Sequence, residues 1–151
     1  MNLKINTPED MIKLGEVFGK ILKPNDCLSL SGNLGAGKTT FTKGIGIALN
    51  IKTVINSPTF TIMKIYKGDL TLYHLDVYRI QNAMDDFDLE EYFYLGGISV
   101  IEWAENIKEL LPDNTIYLNF TINPDTTRNV EIKAPDKFIQ LLEANLWKDY
   151  F

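Results

Sequence analysis

The stretch Gly32-Asn33-Leu34-Gly35-Ala36-Gly37-Lys38-Thr39 decides the fold. It matches the pattern G-x-x-x-x-G-K-[ST], in which a glycine-rich loop follows a strand and opens a helix. A polyphosphate is bound by several inward-pointing backbone N–H groups, which need backbone angles that a Cβ atom would oppose. The following helix adds its own N–H groups and the positive end of its dipole. The segment therefore predicts a phosphate-binding loop.

The residues beside the loop fit this prediction better than an ordinary glycine turn. Residues 27–31 predict a short strand, and residues 38–49 predict a helix. Lys38 would reach the β- and γ-phosphates, the Thr39 hydroxyl would ligate Mg²⁺, and Thr40 would reach the α-phosphate. The chain lacks the Asn-Lys-x-Asp motif that reads guanine in GTPases. ATP is therefore favoured over GTP.

Two carboxylates are candidates for the acids that phosphoryl transfer needs near its metal ion. Glu102 ends the apolar strand predicted over residues 98–101, and Asp76 lies in the β-rich run 70–78. Open α/β sheets bind ligands at the carboxyl ends of their strands. Each acid has an alternative interpretation as a surface group at a strand end. Which of the two orients an attacking water stays open.

Three further polar or aromatic residues each have a functional and a structural interpretation. Trp103 follows Glu102 directly, so its indole either stacks on a purine base or is an aromatic at the sheet edge. Thr59, in Ser57-Pro-Thr-Phe-Thr61, either belongs to a loop that senses the γ-phosphate or simply enters a strand. His74 is the single histidine, and its β-rich surroundings favour a structural role.

The rest of the chain predicts one α/β domain with some antiparallel strand pairing. Its 151 residues, 45% of them apolar, suit a single compact domain. Further helices are predicted over residues 8–22, 85–94, 104–111 and 136–146. Further strands are predicted over residues 59–66, 70–78, 115–122 and 129–134, with a hairpin turn at 67–69.

Composition narrows the possible partners. The net charge is −5 and the only arginines are Arg79 and Arg128, so direct nucleic-acid binding by this chain is not expected. Cys27 is the single cysteine, which excludes an internal disulfide and favours a buried strand thiol. No signal peptide and no apolar run of about 20 residues is visible, so we expect a cytoplasmic protein.

Five blocks in this order resemble the bacterial TsaE (YjeE) family. They are Gly-Asn-Leu-Gly-Ala-Gly-Lys-Thr-Thr (32–40), Ser-Pro-Thr-Phe-Thr (57–61), Tyr-His-Leu-Asp-Val-Tyr-Arg (73–79), Glu-Glu-Tyr-Phe (90–93) and Ile-Glu-Trp-Ala (101–104). The phosphate loop alone is generic, whereas the second, third and fifth blocks together are specific. The resemblance implies a P-loop NTPase-like three-layer α/β domain with a mixed parallel and antiparallel sheet over residues 1–151.

The same resemblance implies an ATPase site with ATP and Mg²⁺ as its ligands. Mg²⁺ would be held by Thr39 and Glu102, with Asp76 assisting hydrolysis. Beyond the loop residues 33–40, the nucleotide would lie against Thr7, Thr59, Trp103 and Arg128. Among these, the resemblance places Trp103 near the adenine and Thr7 at a base contact, and it places Thr59 in a switch.

The family's partners are TsaB and TsaD, and TsaD transfers threonylcarbamoyl to adenosine 37 of certain tRNAs. The resemblance implies that ATP hydrolysis resets that complex between turnovers, with tRNA held by the partners. A small-molecule or nucleoside kinase is the alternative, although such kinases usually clamp phosphates with several arginines. A nucleotide-binding switch without useful hydrolysis is a third possibility, which Asp76 and Glu102 disfavour.

Overall fold

The structure is a computed structural model that describes residues 1–58, 62–80 and 89–149. Its strands are β1 (Asn2–Ile5), β2 (Cys27–Gly32), β3 (Met63–Tyr66), β4 (Leu72–Asp76), β5 (Ile98–Glu102), β6 (Ile116–Ile122) and β7 (Arg128–Lys133). Its helices are α1 (Pro8–Ile21), α2 (Lys38–Ala48), α3 (Leu89–Tyr92) and α4 (Asp136–Asp149), with a 3₁₀ segment at Ala104–Leu110.

All these strands form one mixed sheet in the order β1-β7-β6-β2-β5-β4-β3. The inner strands β6, β2, β5 and β4 are parallel, whereas β1, β7 and β3 pair antiparallel with their neighbours. Parallel pairing brings the carboxyl ends of β2, β5 and β4 to the same edge of the sheet. Glu102 is in register with both Leu30 of β2 and Asp76 of β4. The two candidate acids therefore end adjacent strands beside the phosphate loop.

Two hydrophobic cores make the domain three-layered, as the resemblance implied. On one face, α1, α2 and α4 cover the inner strands, and Phe18 of α1 contacts Phe41 of α2 and Phe138 of α4. On the other face, α3 and the 3₁₀ segment cover β4 and β5, with Phe93 and Ile107 fully or almost fully buried. That second layer leaves the polar face of β6 and β7 exposed.

The start of α1 and its crossing with α2 position the phosphate loop. Thr7 caps α1 by accepting a hydrogen bond from the Asp10 N–H at 3.1 Å, with Pro8 at the first helical position. Where the two helices cross, a Cβ on Gly15 would lie 2.0 Å from the Phe41 carbonyl oxygen, and one on Gly44 would lie 2.1 Å from the Ile12 carbonyl oxygen. Glycine at both positions therefore sets how closely the helices pack.

Several predicted elements differ from the structure. Strand β1 was not predicted, because its four residues owe their strand to pairing with β7 near the other end of the chain. The helix predicted over 104–111 is a 3₁₀ segment, with a non-helical Ile107 at φ −128°. Ala104 and Ile107 are both buried, and a spacing of three residues suits the 3₁₀ repeat.

Other predicted elements were right in kind but longer or shorter than observed. The strand predicted over 70–78 spans only Leu72–Asp76, and the last helix continues to Asp149. Of the strand predicted over 59–66 and the helix predicted over 85–94, residues 59–61 and 85–88 lie outside the described residues. Within the described ranges, no helix is long and apolar enough to cross a membrane.

Candidate functional site

The phosphate loop connects Gly32 at the end of β2 with Lys38 at the start of α2. Gly37, the cap of α2, has φ +113°, and a Cβ there would lie 2.8 Å from the Met11 Cε atom. Gly35 has φ +82°, and its missing Cβ would point into open space. Both angles lie in the region that L side chains disfavour. The loop therefore keeps an open concave backbone at the end of α2 that carries the helix's positive dipole.

A cavity of about 530 Å³ opens over this loop. Besides the loop itself, its walls are formed by Ser57, Asp76, Tyr78, Arg79, Glu102 and Trp103. The cavity thus lies at the carboxyl ends of β2, β4 and β5, where parallel sheets commonly bind ligands. The two acids and the loop lysine, which the sequence placed far apart along the chain, face one space.

At the base of the cavity, Glu102 is held from two sides. The Lys38 Nζ atom lies 3.4 Å from Glu102 Oε1 and donates to the Gly32 carbonyl oxygen at 2.7 Å. The His74 Nε2 atom lies 3.1 Å from Glu102 Oε2. Burial alone would raise the pKa of Glu102, but the hydrogen bonds and charges of His74 and Lys38 outweigh it. The pKa of Glu102 therefore lies below its usual range, and its carboxyl is ionised at neutral pH.

Nearer the mouth, the cavity wall is formed by the chain that follows β4. Asp76 is half-buried, and its Oδ1 atom accepts a hydrogen bond from the Tyr78 N–H at 3.0 Å. The Asn106 side chain donates to the Val77 and Tyr78 carbonyl oxygens at 3.0 and 3.2 Å. The first bond fixes one carboxylate oxygen of Asp76, and the other two hold the chain that follows β4.

Trp103 has an unusual backbone for a bulky residue. Its φ is +63°, its side chain is 42% exposed, and its ring lies 4.7 Å from that of Tyr78, measured between centroids. A left-handed conformation at a non-glycine residue is strained, and such strain is found at functional sites. The turn after Glu102 places the indole on the cavity wall.

A second cavity of about 300 Å³ adjoins the same loop. Thr7, Met11, Thr126 and Arg128 line it, and Gly35, Gly37 and Thr40 line both cavities. The Arg128 Nη2 atom donates to the Gly35 carbonyl oxygen at 3.3 Å, and Nη1 donates to the Thr126 carbonyl oxygen. Thr7 and Arg128 therefore line the second cavity, and Trp103 lines the larger one.

The remaining predicted loop residues also have definite places. Asn33, Leu34 and Thr39 line the larger cavity, and the Leu34 side chain is 96% exposed. Ala36 faces the core, with its side chain fully buried and its N–H donating to the Asn33 carbonyl oxygen at 3.1 Å. Thr59 lies outside the described residues.

Three residues of the cavity wall were not selected from the sequence. Tyr78 and Arg79 lie two and three residues after Asp76, and Ser57 opens the Ser-Pro-Thr block, so closeness to a selected motif was the available signal. His74 lies in the same block as Asp76 and was interpreted as structural, and its ring contacts Glu102 behind the cavity wall. Only the tertiary structure reveals that contact.

The charges around the larger cavity suit a divalent cation together with a polyphosphate. Lys38 and Arg79 carry two positive charges, and Asp76 and Glu102 carry two negative charges. Two carboxylates would repel a triphosphate unless a cation lay between them. Thr39 and Glu102 supply a hydroxyl and a carboxylate, which are oxygen ligands of the kind Mg²⁺ prefers. The open space at Gly35 leaves room for phosphate oxygens beside the loop.

A parallel β2 that leads through a glycine loop into α2, with acids ending β4 and β5, defines a P-loop NTPase-like α/β domain. The family model described as "Threonylcarbamoyl adenosine biosynthesis protein TsaE" matches residues 5–130. The chain therefore belongs to the TsaE family.

Individual relatives agree with this assignment. The tRNA threonylcarbamoyladenosine biosynthesis protein TsaE of Bacillus subtilis (strain 168) is 41% identical over 136 residues, covering 89% of this chain and 86% of that protein. The protein of the same name from Treponema pallidum (strain Nichols) is 40% identical over 126 residues, covering 82% and 93%. The crystal structure of Bacillus subtilis YdiB superposes with a TM-score of 0.83 at 34% identity, covering 99% and 95% of the two chains.

Proposed function

We propose that this protein binds ATP with Mg²⁺ and hydrolyses it, as the ATPase component of the machinery that adds threonylcarbamoyl to adenosine 37 of tRNAs. The family name supports the process, and the cavity supports the chemistry. The observation that carries the proposal is the meeting of Lys38, Glu102 and the open loop backbone in one cavity at the strand ends. That set matches what phosphoryl transfer requires, namely phosphate binding, a cation site and a nearby acid.

The triphosphate would lie along the loop with its terminal phosphate toward the acids. Thr40 adjoins both cavities, so a chain of phosphates from Thr40 toward Lys38 directs the γ-phosphate to the side of Asp76 and Glu102. The base then falls on the side of Thr7 and Arg128. On this arrangement, Trp103 flanks the terminal phosphate rather than the adenine.

The proposed cation site consists of Thr39 and Glu102, and Mg²⁺ bound there would neutralise charge on the β- and γ-phosphates. Lys38 would exchange its present contact with Glu102 for a contact with phosphate oxygens. Because both partners of that ion pair are largely buried, each needs a replacement when the pair separates. Phosphate for Lys38 and a cation for Glu102 provide both replacements together.

The residue that orients the attacking water is proposed to be Asp76. Glu102 already has an oxygen held by His74, and its other oxygen serves the cation. Asp76 stands nearer solvent, with one oxygen fixed by the Tyr78 N–H. Water would attack the γ-phosphorus as the bond to the β,γ-bridging oxygen breaks, giving ADP and inorganic phosphate.

Partner proteins would be the target that ATP hydrolysis acts on, and they would also supply the surface that binds tRNA. Family resemblance supports TsaB and TsaD as those partners, with hydrolysis resetting their complex between turnovers. The net charge of −5 fits a subunit that leaves tRNA to others. A cytoplasmic location is part of the same proposal.

The test is ATP hydrolysis with Mg²⁺ by the chain alone and with the TsaB–TsaD pair. Lys38→Ala should abolish partner-stimulated turnover, whereas Lys43→Ala, an exposed lysine later on α2, should keep it. Asp76→Asn should lower turnover by about 100-fold or more while leaving ATP binding. Equal turnover in Lys38→Ala and Lys43→Ala would refute the site.

The same assay separates hydrolysis from phosphoryl transfer to an acceptor. The proposal expects inorganic phosphate in amounts equal to ADP. ADP formed with a phosphorylated small molecule or nucleoside, and without free phosphate, would instead identify a kinase. Tight ATP binding with no turnover under any condition would identify a switch that only signals occupancy.

A further inference from the structure

The imidazole of His74 is buried among apolar residues and contacts Glu102 at the base of the larger cavity. The residue is 0% exposed and lies on β4, in register with Val100 of β5. Leu72, two residues earlier on the same face, belongs to the core under α1 and α2. The Nε2 atom reaches Glu102 Oε2 at 3.1 Å. Among the residues that the structure describes, Nδ1 has no hydrogen-bond partner.

The direction of this hydrogen bond follows from the charge of its acceptor. The Lys38 Nζ atom lies 3.4 Å from Glu102 Oε1, so the carboxyl forms an ion pair with an ammonium. An ionised carboxylate only accepts hydrogen bonds, so Nε2 must carry the proton. The imidazole therefore donates to Oε2, while Oε1 is left on the side of Lys38 and the cavity.

A histidine is a poor choice for this position on packing grounds alone. A buried nitrogen without a partner carries a desolvation cost that an apolar side chain of similar size would avoid. The neighbours Leu72 and Val100 are such apolar side chains, and both are fully buried. The contact with Glu102 is what an apolar residue could not supply.

We propose that His74 is a positioning residue, whose Nε2–H holds Glu102 Oε2 so that Oε1 stays directed into the cavity toward the divalent cation. This inference rests on the proposed nucleotide and Mg²⁺ site. Without the imidazole, Glu102 is free to turn both oxygens toward the Lys38 ammonium, which lies only 3.4 Å from Oε1. The cation would then compete with Lys38 for the carboxylate. Residues that orient a metal ligand commonly change metal affinity by about 10- to 100-fold.

Three substitutions at position 74 separate positioning from packing. His74→Gln places its amide nitrogen close to the place of Nε2, so the donor is kept. His74→Asn places its amide nitrogen close to the place of Nδ1, too far back to reach Glu102. His74→Leu removes every donor but keeps an apolar volume. Leu72→Ala serves as the control, because it weakens the same core face without removing a polar group.

The readout is nucleotide affinity, measured with a fluorescent ATP analogue in Mg²⁺ and again in EDTA. The affinity in Mg²⁺ divided by the affinity in EDTA should fall about 10- to 100-fold in His74→Leu and His74→Asn. It should stay within about threefold of the unaltered protein in His74→Gln and Leu72→Ala. Loss of folding stability alone would change both affinities together and leave the ratio unchanged.

A second readout needs neither nucleotide nor metal. Because the chain has one histidine, its imidazole signals in long-range ¹H–¹⁵N spectra need no assignment. Nε2 should appear protonated in the nucleotide-free protein, with a resonance that moves on Glu102→Ala. An unprotonated Nε2 would overturn the inference.

The two measurements distinguish the failure of this inference from the failure of the proposed function. If the unaltered protein binds nucleotide with a strong Mg²⁺ dependence and His74→Leu keeps it, the positioning role is wrong and the proposed function stands. If the unaltered protein shows no nucleotide binding with Mg²⁺, the proposed function fails, and the role of His74 toward the cation fails with it.

Discussion

Replacing Gly44 of α2 by alanine should separate the helix that carries the phosphate loop from α1. The added Cβ would lie 2.1 Å from the Ile12 carbonyl oxygen and 2.8 Å from the Gly15 Cα atom. Ordinary contacts begin at 3.4 Å, so α2 must move by about 1.3 Å or the helices must tilt. Both obstacles are backbone atoms, which no change of rotamer can relieve.

The expected loss of stability follows from two opposing terms. Forcing an extra methyl into a packed interior costs up to about 3 kcal/mol. Alanine is favoured over glycine within a helix by about 1 kcal/mol. The net loss for Gly44→Ala is therefore about 2 kcal/mol, or roughly 4–8 °C in Tm for a domain of this size.

Gly46→Ala on the same helix provides the matched control. A Cβ there would meet the Ile55 Cδ1 atom at 2.2 Å, and Cδ1 is the far end of a flexible side chain. The higher helix propensity of alanine then offsets the cost of moving the Ile55 side chain. The free energy of unfolding of this variant should therefore stay within about 1 kcal/mol of that of the unaltered protein. Thermal unfolding of both variants measures the difference.

The functional consequence is measured as ATP turnover under partner-stimulated conditions. A shift of about 1 Å in Lys38 and Thr39 should lower turnover by up to about 100-fold in Gly44→Ala. Gly46→Ala should retain it. Equal Tm values for the two variants would refute the close helix crossing as a determinant of this fold.

Three further predictions concern single side chains. Burial, with Asp26 nearby, raises the pKa of the Cys27 thiol to about 12. At pH 8 the native thiol should therefore react with Ellman's reagent about 1,000-fold more slowly than the unfolded one. Stability should also decline as pH rises from about 9 toward 12, because the unfolded chain then loses this proton first. Arg128→Ala removes the hydrogen bond to Gly35 and should weaken ATP binding about tenfold with little change in Tm, and an unchanged Kd would contradict its place beside the loop. Trp103→Gly should be more stable to denaturant than Trp103→Ala by about 1 kcal/mol, because only glycine adopts the left-handed backbone without strain, and the reverse order would contradict that backbone.

Much of the fold was predictable because its signals are local. The cap at Thr7 and the proline at position 8 identified the start of α1 from adjacent residues. The glycine loop identified the turn from β2 into α2 in the same way. Elements whose conformation depends on distant partners were missed. Strand β1 forms by pairing with β7, and the 3₁₀ segment at Ala104–Leu110 forms because two of its residues must enter the second core.

In the candidate site, too, the residues with local sequence signals were predicted, whereas the contacts between distant residues were not. Lys38, Asp76 and Glu102 were selected from motifs, and the structure brings them to one cavity. The contact of Glu102 with His74 was not predicted, because His74 lies 28 residues away and meets Glu102 only across neighbouring strands. Likewise, only the structure shows that Trp103 lines the larger cavity whereas Thr7 lines the second one.

By itself, the sequence determined the class of the protein, its phosphate loop and the acids that end its strands. These are properties of short segments, where a few neighbouring residues restrict backbone angles and supply donors and acceptors. The tertiary structure alone decided how the charged groups pair, which residues share each cavity and how closely α1 approaches α2. Those properties depend on contacts such as the one between Arg128 and Gly35, 93 residues apart, which exist only once the sheet has assembled.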